Sequence, residues 1–145
     1  MGCRLCEVQC QVAHTKYKDT VKAFKKSADR PIPGLRVESN GAVCFSLSCR
    51  HCDDPQCAYA CITGALRKDP ESGVVTYDAE KCAGCWTCLL ACPYGIIKQD
   101  RQAGKIVKCD LCAGKDVPVC VSTCPNEALV LLSVEDSPKQ LQRTG

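Results

Sequence analysis

The sequence has few aromatic residues and little apolar material other than cysteine. Phe, Trp and Tyr make up 5% of the 145 residues, and the apolar fraction of 46% falls to about 35% when the 16 cysteines are left out. A core built from such side chains alone would be thin for a chain of this length. We therefore expect cysteines, bound either to metal or to each other, to hold the fold together.

Targeting and membrane-spanning segments are also missing from the sequence. The N-terminus lacks a basic stretch followed by an apolar run, no twin-arginine signal is present, and no segment approaches membrane-spanning length. Met1-Gly2-Cys3 resembles a lipidation signal, but Cys6 stands where the myristoylation pattern requires Ser or Thr. We expect a reducing, cytoplasmic compartment and no direct membrane anchor. In that setting clustered cysteines bind metal more often than they form disulfides.

Catalytic signatures are absent as well. There is no Gly-rich phosphate loop, flavin fingerprint, nucleophile triad or pair of acid–base carboxylates, so we expect no enzyme activity of the chain's own. The formal net charge of +3 counts every thiol as neutral. A [4Fe–4S] cluster with four thiolates carries about −2, and four such clusters would bring the total to about −5. The basic run at Lys16, Lys18, Lys22, Lys25 and Lys26 indicates a solvated helix face, and no nucleic-acid partner is expected.

Cysteine is what the sequence has in abundance, and the cysteines fall into four groups. The groups are Cys3-x2-Cys6-x3-Cys10, Cys49-x2-Cys52-x4-Cys57-x3-Cys61, Cys82-x2-Cys85-x2-Cys88-x3-Cys92 and Cys109-x2-Cys112-x7-Cys120-x3-Cys124. Cys44 stands apart from all of them. An internal repeat follows the last cysteine of groups two to four, reading CITGAL, CPYGII and CPNEAL. Each repeat predicts a cysteine-bearing loop, a short helix ending at the cysteine, a turn and a strand.

Strand signals complete the prediction of an α+β fold. LRKDPESGVVTY predicts a hairpin that turns at residues 69–73. LRVESNGAVCF predicts another, with Asn40-Gly41 at its tip. ALVLLSV, at residues 128–134, predicts a further strand. Residues 14–43 form an insertion with a lysine-rich helical half, and residues 135–145 form a polar tail.

Group three matches the bacterial ferredoxin pattern C-x2-C-x2-C-x3-C-P in full, including Pro93. Thiolates at every third residue of a loop can reach three irons of one cubane, and the fourth cysteine points away to the partner cluster. Groups two and three should therefore exchange their last cysteines, as should groups one and four. Set A is Cys3, Cys6 and Cys124; set B is Cys109, Cys112, Cys120 and Cys10; set C is Cys49, Cys52, Cys57 and Cys92; set D is Cys82, Cys85, Cys88 and Cys61.

Set A lacks one cysteine. By register this ligand would lie three residues before Cys3, one residue ahead of Met1, and a chain start placed inside the motif is the explanation we favour. Alternatively the cluster is a three-iron centre, takes a non-cysteine ligand or recruits Cys44. Cys44 also has the simpler interpretation of a buried free thiol.

The cysteines also allow other interpretations. Cys109, Cys112, Cys120 and Cys124 taken alone could form a zinc site, which would make the chain a zinc-stabilised interaction module. A disulfide framework fits the expected compartment less well, and the C-x3-C-x2-C triplet of radical S-adenosylmethionine chemistry is absent. An under-ligated cluster could instead serve a redox sensor. Trp86 is expected to pack over a cluster, and His14 and His51 to lie at the surface or to support ligands.

With CRHCDDPQCAYACITGALRKDPESG, KCAGCWTCLLACPYGI and KCDLCAGKDVPVCVSTCPNEAL in view, the chain resembles a known family. These are the four-cluster ferredoxin-like subunits that accompany dimethyl sulfoxide reductase, formate dehydrogenase and hydrogenases. Within that family it looks most like the iron–sulfur protein of carbon monoxide dehydrogenase or of tungsten aldehyde oxidoreductase. The resemblance covers residues 1 to about 134.

The resemblance implies two interleaved ferredoxin modules that carry a linear chain of four [4Fe–4S] clusters. The outer module would comprise residues 1–13 and 108–134, and the inner module residues 44–107. The expected function is electron transfer between a catalytic oxidoreductase subunit, a molybdenum, tungsten or nickel–iron enzyme, and a flavoprotein, hydrogenase or ferredoxin. Anaerobic metabolism is the expected setting.

Overall fold

The computed structural model describes residues 2–17, 19–26 and 31–132, and in these ranges the chain forms short helices and strands. The helices are α1 (Leu5–Ala13), α2 (Thr20–Lys26), α3 (Gln56–Tyr59), α4 (Thr87–Ala91) and α5 (Val119–Ser122). The strands are β1 (Leu35–Asn40), β2 (Val43–Ser48), β3 (Leu66–Lys68), β4 (Val75–Tyr77), β5 (Lys98–Asp100) and β6 (Lys105–Val107). No helix in these ranges is both long and apolar enough to cross a membrane. The expected polar tail lies outside the described residues.

The strands form three separate antiparallel hairpins, which agrees with the predicted α+β class. β1 pairs with β2, β3 with β4, and β5 with β6. Both predicted hairpins are confirmed. In the first, Asn40 pairs with Val43, so the two-residue loop is Gly41-Ala42, one residue later than expected. Gly41 has a φ of 61°, the positive value required at the first central position of this hairpin turn.

The C-terminal strand prediction is wrong for the described part of its range. Residues 128–132 have irregular structure, and residues 133 and 134 lie outside the described ranges. Val130 and Leu131 are 60% and 49% exposed. A strand needs a partner for its N–H and C=O groups, and no strand of the described chain pairs with this stretch. The hairpin β5–β6, by contrast, was not predicted, because β5 has the sequence Lys-Gln-Asp and shows no apolar alternation.

Two small buried clusters make up the core, and cysteines belong to both. The inner cluster contains Leu66, Val75, Cys88, Ile97 and Ile106, with Cys57, Cys61, Cys82 and Cys92 among the residues packed against it. The outer cluster contains Cys10, Leu35 and Val37, with Cys6 and Cys120 packed against it. Thiols therefore occupy the positions that apolar side chains would fill in an ordinary core of this size.

Helix packing joins the cysteine groups in pairs. α1 packs on α5, and α3 packs on α4. Strand β1 packs on α1, where the N–H of Val37 donates to a carboxylate oxygen of Glu7 at 2.8 Å. The hairpin β1–β2 runs across the expected boundary between residues 43 and 44. Its two strands therefore form one unit, which supplies buried residues beside Cys10.

Candidate metal centres

Every cysteine group lies on a loop that leads into a short helix. Cys6 and Cys10 are on α1, Cys57 on α3, Cys88 on α4 and Cys120 on α5. The last cysteines of groups two to four lie just beyond their helices, as the repeat predicted. All sixteen thiols are free, so each is available as a ligand.

A residue with a left-handed backbone lies inside a C-x2-C pair of every group. The four are Arg4 (φ 57°), His51 (φ 47°), Trp86 (φ 62°) and Leu111 (φ 56°). Such a conformation costs about 1–2 kcal/mol for a residue with a Cβ, so its occurrence in all four loops indicates a functional requirement. Turns of this kind point successive backbone N–H groups into a concavity that can hold an anion or an iron–sulfur cluster. The sequence carries no signal for it, since none of the four residues is Gly or Asn.

The four loops are of two kinds, which alternate along the chain. In groups one and three the left-handed residue, Arg4 or Trp86, directly precedes the helix. In groups two and four a proline, Pro55 or Pro118, directly precedes the helix. Group one thus matches group three, and group two matches group four. This internal symmetry fits two copies of one two-group unit.

The four cysteines of set D converge on one recess. Cys61, Cys82, Cys85 and Cys88 line it together with Tyr77, Trp86 and Ile106. Burial raises the pKa of Cys88 to about 11, and the charges of Cys61 and Cys85 act in the same direction. Trp86 also packs against the inner core.

Three of the four cysteines of set C also lie close to one another. The pKa of Cys57 is raised first by burial and then by the charges of Cys49 and Cys92. Cys92, from group three, therefore lies near Cys57 of group two. Cys52 lies on the same loop, where the ammonium of Lys68 donates to its carbonyl oxygen at 2.7 Å.

Set B draws its cysteines from groups four and one. The pKa of Cys120 is raised by burial and then by the charges of Cys112 and Cys10. Burial also raises the pKa of Cys109 to about 12, and both Cys49 and Cys10 act in the same direction. Because Cys49 belongs to set C, its effect on Cys109 indicates that sets B and C are neighbours.

The cysteines of set A line a larger recess, of about 190 Å³. Cys3, Cys6 and Cys124 face it, and so does Cys44. Burial raises the pKa of Cys6. Backbone N–H groups, led by that of Asn126, lower the pKa of Cys124. The structure therefore brings the three expected ligands together and adds a fourth cysteine that no group contains.

Lysine ammonium groups hold three of the cysteine loops through backbone carbonyls. Lys68 donates to Cys52 at 2.7 Å, Lys105 to Cys82 at 2.6 Å, and Lys108 to Cys109 at 2.7 Å. Lys108 is only 8% exposed. These cations place positive charge beside loops whose thiolates become negative on ligation. Sequence reasoning missed all three, because a lone lysine is read as a surface residue.

Backbone N–H groups also point at two of the sulfur atoms. Gly34 donates to Cys10 Sγ at 3.3 Å, and Leu111 donates to Cys109 Sγ at 3.5 Å. A Cβ at Gly34 would lie 2.9 Å from the Cα of Cys109. A residue with a side chain could not bring its N–H this close to Cys10 without a clash with Cys109. Hydrogen bonds of this type tune the properties of thiolate ligands.

The two histidines support the cysteine loops. His14 Nδ1 donates to the carbonyl oxygen of Cys10 at 2.7 Å, and its Nε2 lies 3.2 Å from Asp110 of group four. Hydrogen bonding to Cys10 raises the pKa of His14 to about 10. His51 Nδ1 accepts the N–H of Val75 at 3.0 Å, and burial lowers its pKa to about 4. Both placements agree with the supporting roles expected from the sequence.

The donor set fits iron–sulfur clusters. Clustered thiolates, concave N–H loops and N–H···S bonds are the features that hold such clusters. Within the described ranges, no three His, Cys, Asp or Glu side chains are grouped closely enough to hold a single metal ion. A cubane needs a wider arrangement, because each thiolate binds a different iron. Cys124 faces the set A recess, so the zinc interpretation of group four gains no support.

Comparison with known proteins agrees with this donor set. The family described as a 4Fe–4S dicluster domain matches residues 41–134. The chain belongs to this family. It is an iron–sulfur electron-transfer subunit rather than a catalytic one, and the family resemblance found in the sequence is confirmed.

Three relatives show what the chain is similar to. The putative electron transport protein YsaA of Escherichia coli K12 is 35% identical over 138 residues, covering 93% of this chain and 85% of the relative. The probable anaerobic dimethyl sulfoxide reductase chain YnfG of the same strain is 36% identical over 149 residues, covering 93% and 69%. The hydrogenase-2 operon protein HybA of E. coli O157:H7 is 39% identical over an alignment of 109 residues, and the match covers 68% of this chain and 33% of HybA.

Proposed function

We propose that the chain binds four [4Fe–4S] clusters in a line, in the order A, B, C, D, and conducts electrons along it. The observation that carries the proposal is that cysteines of successive sets approach one another. Cys6 of set A packs against the outer cluster, which contains Cys10 of set B. The charge of Cys49 of set C raises the pKa of Cys109 of set B, and the charge of Cys57 of set C raises the pKa of Cys88 of set D.

The four sites divide into two ferredoxin-like modules in this proposal. Residues 1–13 and 108–134 would carry sets A and B, residues 44–107 would carry sets C and D, and residues 14–43 would be an insertion whose hairpin β1–β2 continues to Ser48. The packing of α1 on α5 and of α3 on α4 supports this division. The alternating loop types support it too, since each module then contains one loop of each kind.

Within this arrangement the chain's residues bind, orient and shield. The thiolates hold the irons, and the N–H groups of Gly34 and Leu111 stabilise negative charge on sulfur. The ammonium of Lys108 offsets the charge that accumulates between sets B and C. Each cluster, when bound, accepts and releases one electron. The protein determines the spacing, charge and water access that govern transfer.

We infer the partners of the chain from the names of its relatives. One relative is a probable chain of dimethyl sulfoxide reductase, and another is a protein of the hydrogenase-2 operon. We infer a molybdenum, tungsten or nickel–iron catalytic subunit at one end of the line and a flavoprotein, hydrogenase or ferredoxin at the other. A reducing compartment such as the cytoplasm suits a chain whose sixteen cysteines are all free thiols.

Iron and acid-labile sulfide analysis of anaerobically prepared protein tests the proposal. We expect about 16 irons and about 16 sulfides per chain, as four-iron clusters require. Electron paramagnetic resonance during stepwise reduction should show spin–spin interaction between neighbouring clusters. A colourless protein with zinc and no sulfide would contradict the proposal, and eight irons would reduce it to a two-cluster protein.

A further inference from the structure

Lys98 is the first residue of β5, and its ammonium binds two carbonyl oxygens of the segment that leads into β1. It donates to Pro33 at 2.7 Å and to Leu35 at 2.8 Å. The two acceptors lie on either side of Gly34. Because hydrogen bonds from an ionised donor are stronger than those between neutral groups, this cation holds the backbone firmly on both sides of the glycine.

Gly34 is the residue whose N–H reaches a ligand of set B. This N–H donates to Cys10 Sγ at 3.3 Å, and the backbone of Cys109 lies against the glycine on another side. Within the described ranges, the pairing of β1 with β2 begins at Leu35. Gly34 therefore lies ahead of the strand ladder, so that ladder alone does not fix the direction of its N–H.

The ammonium of Lys98 also lies close to set B electrostatically. Burial lowers the pKa of Lys98, while the charges of Glu7 and Cys10 act in the opposite direction. The same cation thus holds the segment around Gly34 and places positive charge near the sulfur that receives the glycine N–H. These two effects differ physically and need separate tests.

We propose that Lys98 is a positioning residue for the set B cluster. Through the two flanking carbonyls it keeps the N–H of Gly34 directed at Cys10 Sγ. An N–H···S bond stabilises the extra negative charge of a reduced cluster, and hydrogen bonds to sulfur are among the factors that set cluster potentials. The inference rests on the proposed four-cluster function, in which a residue of the inner module then tunes a cluster of the outer one.

This role differs from that of the other three buried or partly buried lysines. Those side chains bind carbonyl oxygens of cysteine residues themselves, namely Lys68 to Cys52, Lys105 to Cys82 and Lys108 to Cys109. Lys98 instead binds the neighbours of a glycine that contacts a cysteine sulfur. Its effect on the cluster should therefore depend on that glycine.

The first test is K98M in the 145-residue chain reconstituted anaerobically. The variant removes both hydrogen bonds to the segment, so the reduction potential of the set B cluster should fall further than that of any other cluster. A redox titration followed by electron paramagnetic resonance measures the potentials. C120A identifies the set B potential, because that potential should disappear when a ligand of set B is removed.

K105M is the matched control. Lys105 lies on β6, the other strand of the same hairpin, and donates to the carbonyl oxygen of Cys82 in set D at 2.6 Å. K105M should therefore leave the set B potential where it is in the unchanged chain. If K105M lowers that potential as much as K98M does, the effect comes from general loosening of the hairpin and the inference is wrong.

The double variant G34A/K98M separates positioning from charge. If Lys98 acts through Gly34, K98M should shift the set B potential less in the G34A background than in the unchanged chain, because residues that act through one contact are not additive. If the charge of Lys98 acts by itself, the two shifts should add. Additive shifts would overturn the positioning role.

Iron analysis and guanidinium unfolding of K98M complete the test. Loss of about four irons together with the set B potential would support the inference. A variant that unfolds more easily but keeps the set B potential would make Lys98 a purely structural residue, and loss of every cluster would show a role in the whole fold; either result contradicts the inference. If C120A removes no potential from the unchanged chain, the four-cluster function itself fails.

Discussion

The ammonium of Lys108 lies 2.6 Å from the carbonyl oxygen of Val75, in a position 8% exposed to solvent. Val75 belongs to β4 and to the inner core, whereas Lys108 directly precedes the first cysteine of group four. Its second acceptor is the carbonyl oxygen of Cys109, at 2.7 Å. This side chain therefore joins the inner core to the outer ligand loop and places a buried cation between sets B and C.

Replacing this lysine should affect both stability and potential. K108M removes two hydrogen bonds from a charged donor and leaves buried carbonyls unpaired, which should cost about 2 kcal/mol of unfolding free energy. Loss of the cation should also lower the reduction potentials of the two neighbouring clusters, because positive charge favours the more negative, reduced form. Guanidinium unfolding and a redox titration followed by electron paramagnetic resonance measure the two effects. K115M, which removes an exposed lysine of the same loop region, should change neither quantity appreciably.

Replacing Gly34 or Gly95 with alanine should destabilise the fold, for a different physical reason at each position. G34A forces a Cβ to within 2.9 Å of the Cα of Cys109, which should cost about 1–3 kcal/mol through overpacking and weaken the N–H···S bond to Cys10. G95A has no atom within 4 Å of the added Cβ but requires a φ of 57°, which should cost about 1 kcal/mol. Guanidinium midpoints measure the costs. Only G34A should alter cluster spectra, and an unchanged G34A spectrum would show that the contact with Cys10 is unimportant.

The exchange of last cysteines between groups two and three is directly testable. C92A should remove the same cluster as C57A, so that the double variant C57A/C92A loses about four irons. C88A/C92A should lose about eight, although both cysteines belong to group three. Iron analysis of the singles and doubles is sufficient. If C88A/C92A loses only four irons, each group holds its own cluster and the exchange rule fails here.

Cluster removal should unfold the chain, because cysteines belong to both buried clusters and the apolar core is small. An iron chelator added under reducing conditions should abolish most of the helical circular dichroism signal as the cluster absorbance falls. The control is the same chelator concentration saturated with iron. A chain that stayed folded without iron would show that Leu66, Val75 and their apolar neighbours suffice as a core.

The hairpins show which strands could be predicted from the sequence pattern and which could not. Both hairpins were predicted because Gly41 and Gly73 mark their turns and apolar alternation flanks them, although the first turn lies at residues 41–42, one residue later than the predicted Asn40-Gly41. The hairpin β5–β6 was not predicted because β5 has the sequence Lys-Gln-Asp, which contains no apolar residue and therefore no apolar alternation. The strand expected at residues 128–134 has a strong apolar pattern, but pattern alone cannot supply the hydrogen-bonding partner that a strand requires.

The grouping of the cysteines could be predicted from the sequence because it depends on local geometry. Cysteines separated by two or three residues must lie close together, and Pro93 follows the last cysteine of group three as it does in ferredoxins. The sequence by itself therefore determined the family, the iron–sulfur chemistry and the electron-transfer function. Only the tertiary structure decided which distant residues reach those loops. Contacts such as Lys108 with Val75, Gly34 with Cys109 and Cys44 with Gly2 depend on how helices and hairpins pack, and no short-range pattern encodes them.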